Sequence, residues 1–137
     1  MLTAIDHIAF AVSDLDAAVE QYRRMWGLEV DRREVVGSDG VEEAMLPLGG
    51  IHLQLLAPTS PNSSVARFLE RRGEGLHHIA YRVADVGAAL ERLHSEGAIL
   101  IDEQPRPGPR STRIAFVHPK GNRGVLVELV QHLAPDS

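Results

Sequence analysis

An internal repeat restricts what this chain can fold into. The segment HIAFAVSDLDAAVEQY at residues 7–22 lies over HIAYRVADVGAALERL at residues 78–93 without a gap, and eight of sixteen positions are identical. Further on, HLQLL at residues 52–56 matches LVELV at residues 126–130, which sets Gln54 over Glu128. A chain built this way is two copies of one small unit, each needing a related surface to bury its apolar face. The repeat puts His7, Gln54, His78 and Glu128 at equivalent places in the two copies. All four are residue types that hold divalent metal ions.

Each copy reads as βαβββ. Strand-like alternation covers residues 5–12 and again 77–83. In the first copy, Ser13 and Asp16 stand three apart, like a capping box with Asp in place of Glu. Leu15, Ala18, Val19, Tyr22 and Met25 then follow helical spacing until Gly27. In the second copy, Val86, Ala89, Leu90 and Leu93 do the same, up to Gly97. Three strand-like segments come after each helix, at 28–37, 42–48 and 51–57, then at 98–103, 113–118 and 124–131. Between the copies, PNSSVARFLERRG at residues 61–73 reads as a Ser-capped helix with Val65, Phe68 and Leu69 on one face. Residues 37–40, 105–109 and 119–124 read as loops, and residues 134–137 as disordered. The expected fold class is α+β: two βαβββ modules forming a curved mixed sheet around a metal site. A single domain over residues 1–137 would contain module 1 (3–58), a connecting helix (62–73) and module 2 (76–132).

Composition removes several function classes. The net charge of −5 argues against a nucleic-acid partner, which requires a basic face. With no cysteine, disulfides, thiol catalysis and thiolate–metal sites are excluded. The opening MLTAIDHIAF lacks the positive flank and long apolar core of a signal peptide. No apolar run approaches the roughly 20 residues that span a bilayer, so a cytoplasmic protein is expected.

Strand alternation puts Gln54 on one face with His52 and Leu56, and His78 with Ala80, while His77 points the other way. If the modules pack side by side, His7, Gln54, His78 and Glu128 converge. Glu128 stands between Val127 and Leu129, where an ionised carboxylate needs a partner: a metal ion or an Arg. Two imidazoles, an amide oxygen and a carboxylate leave two open cis positions on an octahedral ion. The set suits Co(II) first, with Mn(II), Ni(II), Fe(II) or Zn(II) also compatible.

Six segments carry a resemblance that runs from about residue 5 to residue 131: DHIAFAV (6–12), GVEEAMLPL (40–48), LQLLAP (53–58), GEGLHHIAYRV (73–83), RIAFVHPK (113–120) and GVLVELVQ (124–131). Through them the chain resembles the vicinal oxygen chelate superfamily and, within it, the methylmalonyl-CoA epimerase family. The resemblance implies His7, Gln54, His78 and Glu128 as metal ligands, an acyl-CoA thioester as small-molecule substrate, and a homodimer. It also implies interconversion of (2R)- and (2S)-methylmalonyl-CoA through a metal-stabilised enolate. A Glu of the second strand is the implied base. Glu42 and Glu43 are adjacent candidates, and the spacing to Ala44-Met45-Leu46 favours Glu43. Glu128 or a water would serve the opposite face. One departure from some relatives is the short connection between Met45 and Gln54.

Around this set, Arg113, Lys120 and Arg123 are candidate partners for coenzyme A phosphates. His118 belongs either to a structural turn or to a ligand contact, His77 to packing, and His94 and His132 to the solvent side. The competing readings are a glyoxalase I-type glutathione hemithioacetal isomerase, a metal-free antibiotic-binding protein, and an extradiol dioxygenase, for which Gln54 is superfluous.

Overall fold

In the computed structural model, which describes residues 1–134, the chain runs β1 (Leu2–Ala11), α1 (Leu15–Trp26), β2 (Arg32–Val36), β3 (Val41–Leu48), β4 (Ile51–Pro58), α2 (Ser64–Arg72), β5 (Gly75–Val83), α3 (Val86–Ser95), β6 (Arg106–Gly108), β7 (Thr112–Val117) and β8 (Val127–His132). The disorder expected at residues 134–137 falls, beyond Ala134, outside the described residues. Two units emerge: one is His7–His77, and the other combines Met1–Asp6 with the chain from His78 onward. Strand β1 therefore starts in one unit and finishes in the other. Among the described residues no helix is long and apolar enough to cross a membrane.

In the His7–His77 unit the strands lie in the order β2-β3-β4-β1, with β1 parallel to β4 and the other pairs antiparallel. Helix α1 covers one face. Leu15 and Ala18, with Val19 and Tyr22 beside them, pack on Ala44, Leu46, Leu55 and Ala57. Met25 stays exposed although its spacing fits the stripe; periodicity reports which way a residue points, not how far the sheet beneath extends. The helix begins on Asp14 rather than Ser13: the Asp14 carboxylate accepts the Ala17 N–H at 3.1 Å, while the Ser13 N–H donates to Glu74. A carboxylate there satisfies an open N–H and complements the helix dipole. Gly27 closes the helix at φ 70°, where a side chain would be strained. On the other face, Ala9, Ala11, Val41 and Leu56 pack with Val65, Phe68 and Leu69 of α2, which Ser63 caps.

The second unit has the order β1-β5-β8-β7-β6, with β5 parallel to β8. Here β1 contributes residues 2–6: Thr3 donates to the Arg82 carbonyl, and the Asp6 carboxylate takes Arg82 at 2.9 Å and His132 at 2.6 Å. Helix α3 buries Val86, Ala89 and Leu90 against Val83, Ala115, Val117, Val127 and Leu129. The opposite face carries Ala80, Ile114 and Val130 with Phe116 beside them.

Two of the expected strands are corrected. Residues 28–37 shrink to β2 at Arg32–Val36, since Leu28 and Val30 are used as core contacts for α1 rather than as ladder residues. Residues 98–103 form no strand. Leu100 makes one isolated bridge to Val117, and the N–H groups of Ile101 and Asp102 both point to the Phe116 carbonyl. The edge strand is instead β6, inside the stretch 105–109 that reads as a loop. Pro107 lacks a donor, which only an edge position tolerates. Gly108 allows the close approach: a Cβ there would stand 2.4 Å from Thr112 Oγ1 and 2.7 Å from Ile114 Cγ2. Gly108→Ala should therefore lower stability by about 1–3 kcal/mol through overpacking, seen as a lower urea midpoint. An unchanged midpoint would mean that β6 lifts away without cost.

Candidate functional site

In the His7–His77 unit, register decides which side chains share a face. Gln54 lies opposite Ala9 on β1 and opposite Met45 on β3. Alternation then brings His7, two residues before Ala9, and Glu43, two before Met45, to the face of Gln54. All three are buried, Glu43 to 1% exposure. Glu42 points the other way, onto the α1 side, where Arg33 Nε binds it at 2.9 Å and Arg33 Nη2 reaches Asp16 at 2.6 Å. Hydrogen bonds to Glu42 and then Asp16 raise the Arg33 guanidinium above its usual pKa. The adjacent glutamates thus lie on opposite faces of the strand: Glu42 has a surface ion pair, and Glu43 faces inward.

Glu43 also fixes its neighbour. Gln54 Nε2 donates to Glu43 Oε2, which turns the amide oxygen away from the carboxylate. Gln54 Oε1 is buried and has no hydrogen-bond partner among the described residues. A buried amide oxygen left without a donor is costly, and its lone pairs suit a hard cation.

The second unit repeats this geometry. Glu128 lies opposite Ala80 on β5 and opposite Phe116 on β7, so His78, two residues before Ala80, shares its face. His78 and Glu128 are buried, and His78 Nε2 is 3.2 Å from Glu128 Oε1. Adjacent donors on an ion with bonds of about 2.1 Å are separated by roughly 3.0–3.4 Å, so this spacing fits a shared cation. The Phe116 ring holds the His78 imidazole from the side, 5.5 Å between centroids at 82°. His78 and Glu128 in this unit, like His7 and Gln54 in the other, are buried and of metal-ligating type, and the Gln54 amide oxygen is unbonded among the described residues. In residue type these donors fit a divalent ion.

The other singled-out residues go elsewhere. His77 packs edge-on against Phe68 at 5.0 Å, as its opposite orientation implies. His52, on the site face by alternation, is half-exposed and binds Asp31 at 3.0 Å. His118 Nδ1 accepts the Lys120 N–H at 2.9 Å, which makes it part of the turn. His94 is exposed, and His132, also exposed, holds Asp6. Arg113, Lys120 and Arg123 are exposed. Sequence reasoning passed over Arg106, whose guanidinium lies 5.4 Å from the Phe116 ring centroid. Between Pro105 and Pro107 no periodicity marks it; only the pairing of Arg106 with Ile114 does.

The family model of the Glyoxalase/Bleomycin resistance protein/Dioxygenase superfamily matches residues 6–116. The ethylmalonyl-CoA/methylmalonyl-CoA epimerase of Cereibacter sphaeroides is 39% identical over 133 residues, covering 96% of this chain and 99% of its own. A methylmalonyl-CoA epimerase variant from Streptomyces coelicolor, solved with 2-nitronate-propionyl-CoA, superposes with a TM-score of 0.92 at 45% identity, over 100% of this chain and 99% of that one. A methylmalonyl-CoA epimerase solved with methylmalonyl-CoA and NH4+ gives a TM-score of 0.91 at 45% identity, over the same shares of the two chains.

The two glutamates should separate in stability as they do in space. Glu43→Ala strips the buried Gln54 amide of its acceptor and should cost about 1–3 kcal/mol. Glu42→Ala removes a surface ion pair and should cost less than about 1 kcal/mol. Urea unfolding of the two variants checks this, and equal losses would contradict the assignment of faces.

Proposed function

We propose that this chain, which belongs to the methylmalonyl-CoA epimerase family of the glyoxalase/bleomycin resistance protein/dioxygenase superfamily, interconverts (2R)- and (2S)-methylmalonyl-CoA. In this reading His7, Gln54, His78 and Glu128 hold one divalent metal ion, and Glu43 moves the α-proton. The observation that carries it is the buried pair in which Gln54 Nε2 donates to Glu43 Oε2: one contact couples an acid/base carboxylate to a metal-ligand amide.

The α-carbon lies between a thioester and a carboxylate, and the charge on that carboxylate opposes formation of a carbanion. A divalent ion at the four ligands would supply Lewis-acid chemistry, offsetting the carboxylate charge and stabilising charge that develops on the thioester oxygen. The protein does the rest. Glu43, at 1% exposure, works where little water competes for the proton. Glu43, held by the Gln54 amide, is the carboxylate assigned to take the α-proton. Inversion requires the proton to return on the opposite face of the planar enolate.

The repeat offers no second carboxylate at the symmetric place. Met45 opposite Gln54 corresponds to Phe116 opposite Glu128, so Glu43 corresponds to Ile114. Glu128, or a water it holds, is therefore assigned as the second acid/base. Co(II) is the ion taken first in this reading, and the donor set is equally compatible with Mn(II), Ni(II), Fe(II) or Zn(II). The same reading takes the protein as a cytoplasmic homodimer.

The test follows the α-hydrogen. Incubated with methylmalonyl-CoA in D2O, the Co(II)-loaded protein should wash out the α-hydrogen signal in NMR. EDTA treatment should abolish the washout, and restored Co(II) should recover it. No washout above the EDTA control would remove the proposal. Glu43→Gln should bind Co(II) as the wild type does, yet exchange at least about 100-fold more slowly. Wild-type exchange in that variant would take Glu43 out of the role.

A further inference from the structure

We infer that Arg106 is a substrate-recognition residue that receives an oxyanion of the acyl-CoA. The inference deepens the proposed function and rests on it. Arg106 opens β6 and lies opposite Ile114, so its side chain stands on the face of Ile114, Phe116 and Glu128. The guanidinium lies over the Phe116 ring at 5.4 Å, and the same ring holds His78 at 5.5 Å. One aromatic side chain thus touches both the Arg106 guanidinium and the His78 imidazole.

The ordinary alternative is a structural ion pair with Asp102, four residues before it. That contact is long, Nε to carboxylate at 3.3 Å, and Asp102 Oδ2 already accepts the Phe116 N–H at 2.8 Å. It is exposed enough to be a weak tie. The two Nη groups of Arg106 have no hydrogen-bond partner among the described residues, and the side chain is 44% exposed. A guanidinium lying over an aromatic ring, with only a weak tie at Nε, has its terminal nitrogens available for an oxyanion.

Other cations of this unit are less suited. Arg82, on the same face by alternation, is bound to Asp6 through two nitrogens. Arg113 alternates to the opposite face from Ile114, and Lys120 and Arg123 belong to the 119–124 turn. The acyl-CoA offers two oxyanion sources, the malonyl carboxylate and the phosphates of coenzyme A.

Arg106→Leu and Arg106→Lys separate the outcomes. Titration calorimetry gives Kd for methylmalonyl-CoA. Proton exchange gives KM and kcat for methylmalonyl-CoA and for methylmalonyl-pantetheine, which keeps the carboxylate and thioester but has no phosphate. Arg106→Leu should raise Kd and KM about tenfold or more, with kcat within about twofold and an unchanged melting midpoint; Arg106→Lys should recover part of the loss. A loss confined to the CoA ester assigns the oxyanion to a phosphate, and a loss on both esters assigns it to the carboxylate. Wild-type Kd and KM on both esters in Arg106→Leu would overturn the inference. If the leucine variant melts early, Arg106→Gln carries the same comparison. The wild-type protein separates the two ideas: exchange by wild type with unaltered variant constants refutes Arg106 alone, whereas no exchange by wild type refutes the epimerase reading.

Discussion

Strand register is the constraint on which everything else in this protein depends. In each unit a parallel pair, β1 with β4 or β5 with β8, puts an alanine directly opposite an oxygen donor: Ala9 opposite Gln54, and Ala80 opposite Glu128. The histidine two residues before that alanine then shares the donor's face. A slip of one residue in either ladder would send the donor into the helix-covered core and the core leucines into the site. The apolar alternation forbids the slip: Leu55 and Ala57 must meet α1, as Leu129 must meet α3. The hydrophobic effect, acting on residues with no chemistry of their own, thus determines where the chemistry stands.

Much of this was legible in the sequence, because a repeat is a comparison of the chain with itself. It separates positions kept for the fold, such as the alternating Val and Ala, from polar residues that recur where a polar residue is unwelcome. The α+β class, the helix positions and the four candidate ligands could all be read in that way. Other features lie beyond one-dimensional reasoning. The choice between Glu42 and Glu43 depends on which side of β3 faces α1, and so on the reach of Arg33 and Asp16. Asp14, not Ser13, caps the helix because its carboxylate accepts the Ala17 N–H, while the Ser13 N–H is taken by Glu74, distant in sequence. The missing strand at 98–103 and the short one at Arg106–Gly108 trade places for a similar reason. In the first stretch Leu100 makes a single bridge to β7 while Ile99 and Ile101 stay exposed, and in the second one proline and a glycine form an edge that no propensity favours.

The two copies have also diverged in a way that bears on the chemistry. Where one unit has Met45 and Glu43, the other has Phe116 and Ile114 in the same register. The first exchange replaces a flexible side chain by a flat ring that can hold both an imidazole and a guanidinium. The second exchanges a carboxylate for a hydrocarbon. Under the proposed function, the first copy contributes the proton-transfer carboxylate and the second contributes holding and recognition.

The course of β1 has a consequence for how the protein is made. Asp6 is synthesised well before its partners Arg82 and His132, which lie 76 and 126 residues further along the chain. The His7–His77 unit is complete in sequence by then and can collapse on local contacts alone. The start of β1, with Leu2 and Ile5 facing water even in the finished protein, must wait for those distant partners before its contacts can close. Contacts that span so much of the chain form slowly. Vectorial synthesis thus leaves the start of β1 without its partners while the intervening chain emerges, a point where a chaperone has something to protect.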